Sequence, residues 1–142
     1  MFCLHLLTRA FARARPCLAA ACFALTATPM AAADDPSKKW DLAGLKERGK
    51  EVYAAKCVPC HQANGQGIPG AFPSLDGSPI VKGPVKEHLN RVLNGKNGTS
   101  MASFGKQLSD TDIAAVITYE RNSWSNKTGD VLQPADVKAA RK

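Results

Sequence analysis

Apolar positions recur first at Leu42, Leu45, Gly49 and Val52, at steps of 3, 4 and 3. That spacing puts them on one stripe of a helix, which runs into Cys57. Gly in mid-helix forgoes about 1 kcal/mol against Ala, so Gly49 makes sense if another backbone passes close by. Residues 62–84 break the pattern. Gly65, Gly67, Pro69, Gly70, Pro73, Gly77, Pro79, Gly83 and Pro84 exclude a regular element there. A loop of this length is unusual in a compact domain and needs something to wrap around. Pro84 to Asn94 reads as a second helix, with Pro84 at its first position, Gly95 at its stop, and Leu89, Val92 and Leu93 on the buried face. A second loop covers 95–107. Ser109 and Asp112 then resemble a capping box, with Asp replacing the usual Glu or Gln. They open a third helix with Ile113, Val116 and Ile117 inward, ending near Trp124. The chain is polar from Ser125, and Pro134 predicts a last turn or two. The pattern is all-α, three main helices joined by Gly/Pro-rich loops, with no internal repeat.

The first 33 residues read differently. They hold Arg9, Arg13 and Arg15, no acidic residue, an apolar run from Cys17 to Thr28, and small residues ending in Ala31-Ala32-Ala33. Basic, apolar and small regions in that order make a secretory signal peptide over 1–33. Cleavage after Ala33 would leave residues 34–142, with the protein exported to the periplasm. An uncleaved anchor is the alternative, since small residues extend the apolar run toward the roughly 20 that a bilayer needs. A lipoprotein reading at Cys22 is weaker, because too few residues separate it from Arg15.

Charge adds little beyond a preference among partners. The 142 residues carry 19 Lys and Arg against 12 Asp and Glu, a net of +7. Three of the basic residues belong to the signal segment, which leaves a net of +4. That favours an acidic protein partner, and it is too little to argue for nucleic acid.

Cys57-Val58-Pro59-Cys60-His61 carries the chemistry. Cys-x-x-Cys-His is the pattern of haem c attachment. Two thiols three residues apart can reach the two vinyl groups of one haem and form thioethers, and the adjacent His then supplies a nitrogen to the iron. A thioredoxin-like pair, a zinc site and a plain disulfide are the competing readings. The first expects a βαβ context that this pattern lacks. Zinc needs three or four protein ligands, and only His88 and carboxylates could add to the motif. An electron carrier also needs a second axial ligand. Met101 and His88 are the candidates. Met101 lies in a Gly- and Ser-rich loop, poor core material that can bring a sulfur to iron, whereas His88 reads as a partly exposed helix residue. His/Met ligation raises the reduction potential. A backbone carbonyl of the Gly/Pro loop is the natural acceptor for Nδ1 of His61. Ile68, Phe72, Leu75, Leu93 and Phe104 are candidates to line the haem.

These residues resemble a class I cytochrome c from about Leu42 to Trp124. The likeness rests on the motif near the end of the first helix, on Pro73-Ser74-Leu75-Asp76-Gly77, on Met101, and on Gly49, Tyr53 and Tyr119 of the terminal helices. It implies the class I fold around one covalent haem, with Pro73 offering its carbonyl to His61, Leu75 beside the haem, crossed terminal helices, and His61 and Met101 as iron ligands. Ala71-Phe72-Pro73-Ser74-Leu75, Leu108-Ser109-Asp110, the run 113–124 and Gln133-Pro134-Ala135-Asp136-Val137 also resemble the cytochrome domain fused to subunit II of caa3-type oxidases. Two features depart from that pattern: no copper-binding cupredoxin sequence precedes the motif, and Ala102 follows Met101 where such domains often carry proline.

The expected organisation is a signal peptide (1–33), a cytochrome c domain (34–124) and a polar tail (125–142). The expected function is a periplasmic one-electron carrier with one haem c, a donor to a terminal haem-copper oxidase with an acidic docking face. Lys56, Lys82, Lys86, Lys96 and Lys106 would steer it. The alternative is a fixed cytochrome subunit of a membrane respiratory or dehydrogenase complex. A peroxidase would need an open iron and acid–base groups nearby, so no enzymatic activity is expected.

Overall fold

The computed structural model describes residue 35 and residues 37–141; the signal-like segment 1–33 lies outside them. Six helices follow one another: α1 Leu42–Lys56, α2 Val58–His61, α3 Pro79–Lys82, α4 Val85–Asn94, α5 Asp110–Arg121 and α6 Pro134–Ala140. The described residues contain no strand, only one isolated bridge between Ile68 and Phe72.

Three of the helices are the long ones that periodicity predicts. The Asp41 carboxylate caps α1 by accepting from Gly44 N–H at 2.8 Å. Pro84 is the N-cap of α4 rather than its first helical residue, and Gly95 ends it at φ +70°. Ser109 caps α5 by accepting from Asp112 N–H at 3.1 Å. Asp112 completes only half of the expected box. Its carboxylate takes the Ser109 hydroxyl proton at 2.9 Å and Arg48 Nε–H of α1 at 2.8 Å, not the Ser109 backbone. It is one methylene shorter than the Glu that usually reaches back.

Two expectations are corrected. Residues 62–84 are not wholly irregular, because Pro79 opens one helical turn that Gly83 closes through its N–H to Pro79 O at 2.8 Å. The last long helix stops at Arg121, short of Trp124, which adopts φ +54°. Asn122 holds that end by donating to Thr118 O and Asp130 O at 2.8 and 2.9 Å. The polar stretch after it is packed: Leu132 and Val137 join the core, and α6 lies against α5.

α5 is buried on nearly every side; residues 113–117 are apolar all round, as a helix segment buried on every side should be, while Thr111, Thr118, Glu120 and Arg121 are buried polar groups. Its largest contact is with α1. Leu45 shares one buried cluster with Ile113, Ala114 and Ile117. A Cβ on Gly49 would lie 2.1 Å from Ala115 O and 2.6 Å from Tyr119 Cβ, so two helix backbones touch where the sequence places the glycine. Tyr53, Tyr119 and Trp124 pack tilted and edge-to-face beyond the crossing, with centroids 5.3 to 5.8 Å apart.

Gly49→Ala should therefore destabilise despite alanine's better propensity. Pushing the helices apart should outweigh the roughly 1 kcal/mol that Ala gains in a helix and leave a net loss of about 2 kcal/mol. A lower urea midpoint with unchanged slope would show it, and an unchanged or higher midpoint would contradict the backbone contact.

Candidate functional site

The α1–α5 crossing delivers the end of α1 to a fixed place, and the Cys-x-x-Cys-His motif begins there. Cys57 is both the C-cap of α1 and the N-cap of α2. Its N–H bonds Tyr53 O at 2.9 Å, and the N–H groups of Cys60 and His61 bond back to Cys57 O at 3.1 and 2.9 Å. Pro59 suits the first turn of α2. One helical turn thus carries both cysteines and the histidine. Both thiols are free and partly exposed. Burial and then the neighbouring Glu120 carboxylate push the Cys57 thiol far above the usual range.

His61 is largely buried, and its Nδ1 lies 3.0 Å from Pro73 O. A carbonyl oxygen only accepts, so the proton sits on Nδ1 and the lone pair on Nε2. That tautomer suits a metal ligand. The loop that offers the carbonyl is stitched down. Gly67 N–H bonds His61 O at 2.9 Å and Leu75 N–H bonds Gly65 O at 2.7 Å. Tyr53 donates its hydroxyl proton to Gln62 O at 2.7 Å.

The tail closes the same loop. The Asp76 carboxylate accepts from the N–H of Ser125 at 3.0 Å and from its hydroxyl. Those bonds hold the Asp76 carboxyl below its ordinary range. Asn126, 0% exposed, accepts from Gly77 N–H at 2.9 Å and donates to Leu75 O and Glu120 O, both at 3.0 Å. Sequence reasoning missed both residues, since an Asn and a Ser in a polar stretch carry no period.

Met101 stands in a separate loop. Among the described residues, no hydrogen bond joins its loop to the His61 loop. Lys96 N–H bonds Met101 O at 3.0 Å, and Phe104 and Gly105 N–H bond Val92 O and Leu93 O, both at 3.0 Å. A Cβ on Gly95 would lie 2.5 Å from Met101 O, so the Met101 backbone folds over that glycine. Arg141 pins the next stretch by donating to Gly105 O, to Leu108 O at 2.9 Å, and to Asp110. Leu75 and Phe104 pack against the core, Leu93 lies within it, and Ile68 stays 39% exposed.

His88 corrects an expectation. It is 2% exposed rather than partly exposed, and its Nε2 lies 2.8 Å from Glu120 Oε2. It belongs to the α4–α5 contact and is not free to leave it. The signal was available: His88 precedes Val92 by four residues, and Glu120 follows Val116 by four, each on a buried stripe.

The residues present fit a covalent haem. Two free thiols share one turn with a histidine whose Nε2 carries the lone pair. Among the described residues no group of three or more His, Cys, Asp or Glu gathers as a bare metal ion would require.

The sequence is similar to those of known proteins. Residues 44–119 match the family profile of cytochrome c oxidase, cbb3-type, subunit III. The cytochrome c subunit of the quinone alcohol dehydrogenase of Gluconacetobacter polyoxogenes is 30% identical over 106 residues, 66% of this chain and 22% of that protein. Cytochrome c-552 of Thermus thermophilus is 37% identical over 91 residues, 55% of this chain and 69% of the relative. The cbb3-type oxidase subunit FixP of Azorhizobium caulinodans is 32% identical over 117 residues, 75% and 39%. The chain spans less than a quarter of the length of the first of these relatives.

Asp76→Asn tests the stitching of the proximal loop. A carboxyl whose folded pKa is depressed contributes stability that is complete above its unfolded value, about 3.9. That stability is lost as pH falls through the folded value. The variant should unfold at lower urea than the parent at pH 7, and the gap should close as pH falls through the lowered folded value. A gap independent of pH would remove the carboxylate from the argument.

Proposed function

The chain belongs to the cytochrome c family, and from that premise we propose that it is a periplasmic one-electron carrier that hands electrons to a terminal haem-copper oxidase. The observation that carries the reading is the turn Cys57–His61, with the His61 Nδ1 proton committed to Pro73 O at 3.0 Å. The cofactor is haem c, covalently attached; when bound, it supplies an iron that takes up and gives up one electron.

The chain's own residues would do the rest. Cys57 and Cys60 would hold the macrocycle by thioethers, so that the cofactor cannot wash out. His61 would give its Nε2 to the iron, fixed in direction by Pro73. Leu75 would help to line the cofactor. Met101 would give its sulfur to the iron as second ligand, with its backbone fixed by Lys96 and Gly95. Lys56, Lys82, Lys86, Lys96 and Lys106 are all exposed. Exposed charges of that kind speed encounter with an acidic partner and are screened by salt.

The relatives favour a second reading, a fixed subunit of a larger complex. Two of those described are subunits, of an alcohol dehydrogenase and of a cbb3-type oxidase. The T. thermophilus relative is named simply as a cytochrome. The likeness to the caa3-type domain supports an oxidase as acceptor. No helix among the described residues is long and apolar enough to cross a membrane.

Two experiments test these roles. Reduced haem-loaded protein mixed with host membranes should reoxidise quickly, stop with cyanide, and slow as salt is raised. Failure to reoxidise, with co-purification in a large complex, would favour the subunit reading. Met101→Ala should keep its haem through denaturation, because the thioethers remain, and its ferrous form should bind carbon monoxide rapidly. Slow binding equal to the parent's would exclude Met101 as the sixth ligand.

A further inference from the structure

Glu120 is a carboxylate in the wrong place for a surface residue. It is 3% exposed, and His88, its partner at 2.8 Å, is 2% exposed. Among the described residues no Lys or Arg pairs with it. Its neighbour Arg121 is spent on Val81 O, on Gly83 O at 3.0 Å, and on Asp130. The other titratable groups facing it come from α1. They are Cys57 and Tyr53, and after burial its charge is the largest cause that raises each. The geometry agrees: Asn126 joins Glu120 O to Leu75 O, each at 3.0 Å, and Tyr119, next to Glu120, packs at 5.4 Å on Tyr53, whose carbonyl takes the Cys57 N–H at 2.9 Å, so Glu120 lies beside the start of the haem-attachment motif.

The hydrogen bonds assign the charge of the pair. His88 Nδ1 is buried, and no protein group bonds it. An imidazolium would leave an N–H donor unmet at Nδ1. A protonated Glu120 donating to Nε2 would also leave the ring proton on Nδ1, unmet in the same way. An orphaned buried donor is costly, and more so when it is charged. The remaining arrangement has neutral His88 donating its Nε2 proton to an ionised Glu120, with only a lone pair unmatched. The pair then holds one net negative charge, away from bulk water, where charges act at a lower effective dielectric.

We propose that Glu120, held ionised by His88, is a potential-setting residue: its buried charge beside Cys57 stabilises the ferric over the ferrous haem and lowers the reduction potential. The inference rests on the reading that Cys57 carries the haem. Ferric haem has one more positive charge than ferrous, so a fixed anion nearby favours it. With Cys57 alkylated by the haem, its thiol proton is gone, and His88 is the donor left to Glu120 among the contacts described. His88 is in this sense a positioning residue for the charge.

The test is an anaerobic redox titration of the haem-loaded full chain at pH 7, with four proteins compared. Glu120→Gln should raise the potential, with an expected shift of about tenfold in the ferric-to-ferrous equilibrium, or about 59 mV for one electron. His88→Gln keeps an N–H donor and should stay within about twofold of the parent. His88→Leu removes the donor; the stranded carboxylate should take up a proton, and the potential should rise as in Glu120→Gln. A merely structural role would not separate the two His88 variants in this way. An unchanged or lowered potential in Glu120→Gln would overturn the proposal. If the variants fail to load haem, the reduced-minus-oxidised infrared spectrum of the parent, 13C-labelled at glutamate carboxyls, decides. An ionised carboxylate band that responds to the electron supports the proposal, and its absence overturns it. No haem absorbance in the parent would remove the underlying reading, and this one with it.

Discussion

Where Gly49 of α1 meets Ala115 of α5, a methyl group would stand 2.1 Å from a carbonyl oxygen. Much of the rest depends on that approach. α1 carries the attachment motif at its end, so the angle and depth at which it crosses α5 set where Cys57, Cys60 and His61 hang. The aromatic trio of Tyr53, Tyr119 and Trp124 can close only at this spacing. Tyr53 then ties the crossing to the motif loop through Gln62 O. A wider crossing would move the thiols relative to Pro73 and part the bond that orients His61.

Sequence alone made this much of the fold legible because the signals were local or steric. Glycine in mid-helix is costly enough to need a reason, and the reason is the touching backbone. α1, α4 and α5 each show a period that burial enforces. The link from Pro73 to His61 followed only from a family resemblance, and the distance of 3.0 Å now supports it. The polar tail was the least legible part. Ser125, Asn126, Gln133 and Arg141 act through side-chain contacts to distant backbone, as where Gln133 pairs with both the N–H and the carbonyl of Trp40 at 3.0 Å. Such contacts leave no period in a sequence, because one residue meets one partner far away. His88 and Glu120 are an intermediate case. Their register placed them on buried stripes, but a charge on a stripe is easily taken for the edge of a solvated face.

Buried polar groups here follow a division of labour. Arg121 and Asn126 are buried to serve backbone: between them they satisfy Val81 O, Gly83 O, Leu75 O, Glu120 O and Gly77 N–H. Where the described residues form no strand and many loops, side chains must satisfy much of the backbone that ladders would satisfy elsewhere. The His88–Glu120 pair is different. Its side chains serve each other and no backbone group, and a ring nitrogen is left without a protein partner. An apolar pair of similar volume could fill the same space without taking a charge from water. The pair thus does nothing for the fold that leucine could not do better, and its charge is the part left to act on the proposed haem.

The two walls of the proposed haem site are built to different tolerances. On the His61 side, the acceptor loop is bound to the motif, to the tail and to α5 by both backbone and side chains. On the Met101 side, the loop hangs from α4 by a few bonds, and Arg141 fixes it only from Gly105 onward. This asymmetry matches what each ligand must do. The imidazole has a direction that must be set before the metal arrives, because the proton has to be on Nδ1. A thioether carries no proton to place, sits on a flexible side chain and can turn to meet the iron. Rigidity is concentrated where the tautomer and the angle matter, and freedom is left where the ligand can adjust.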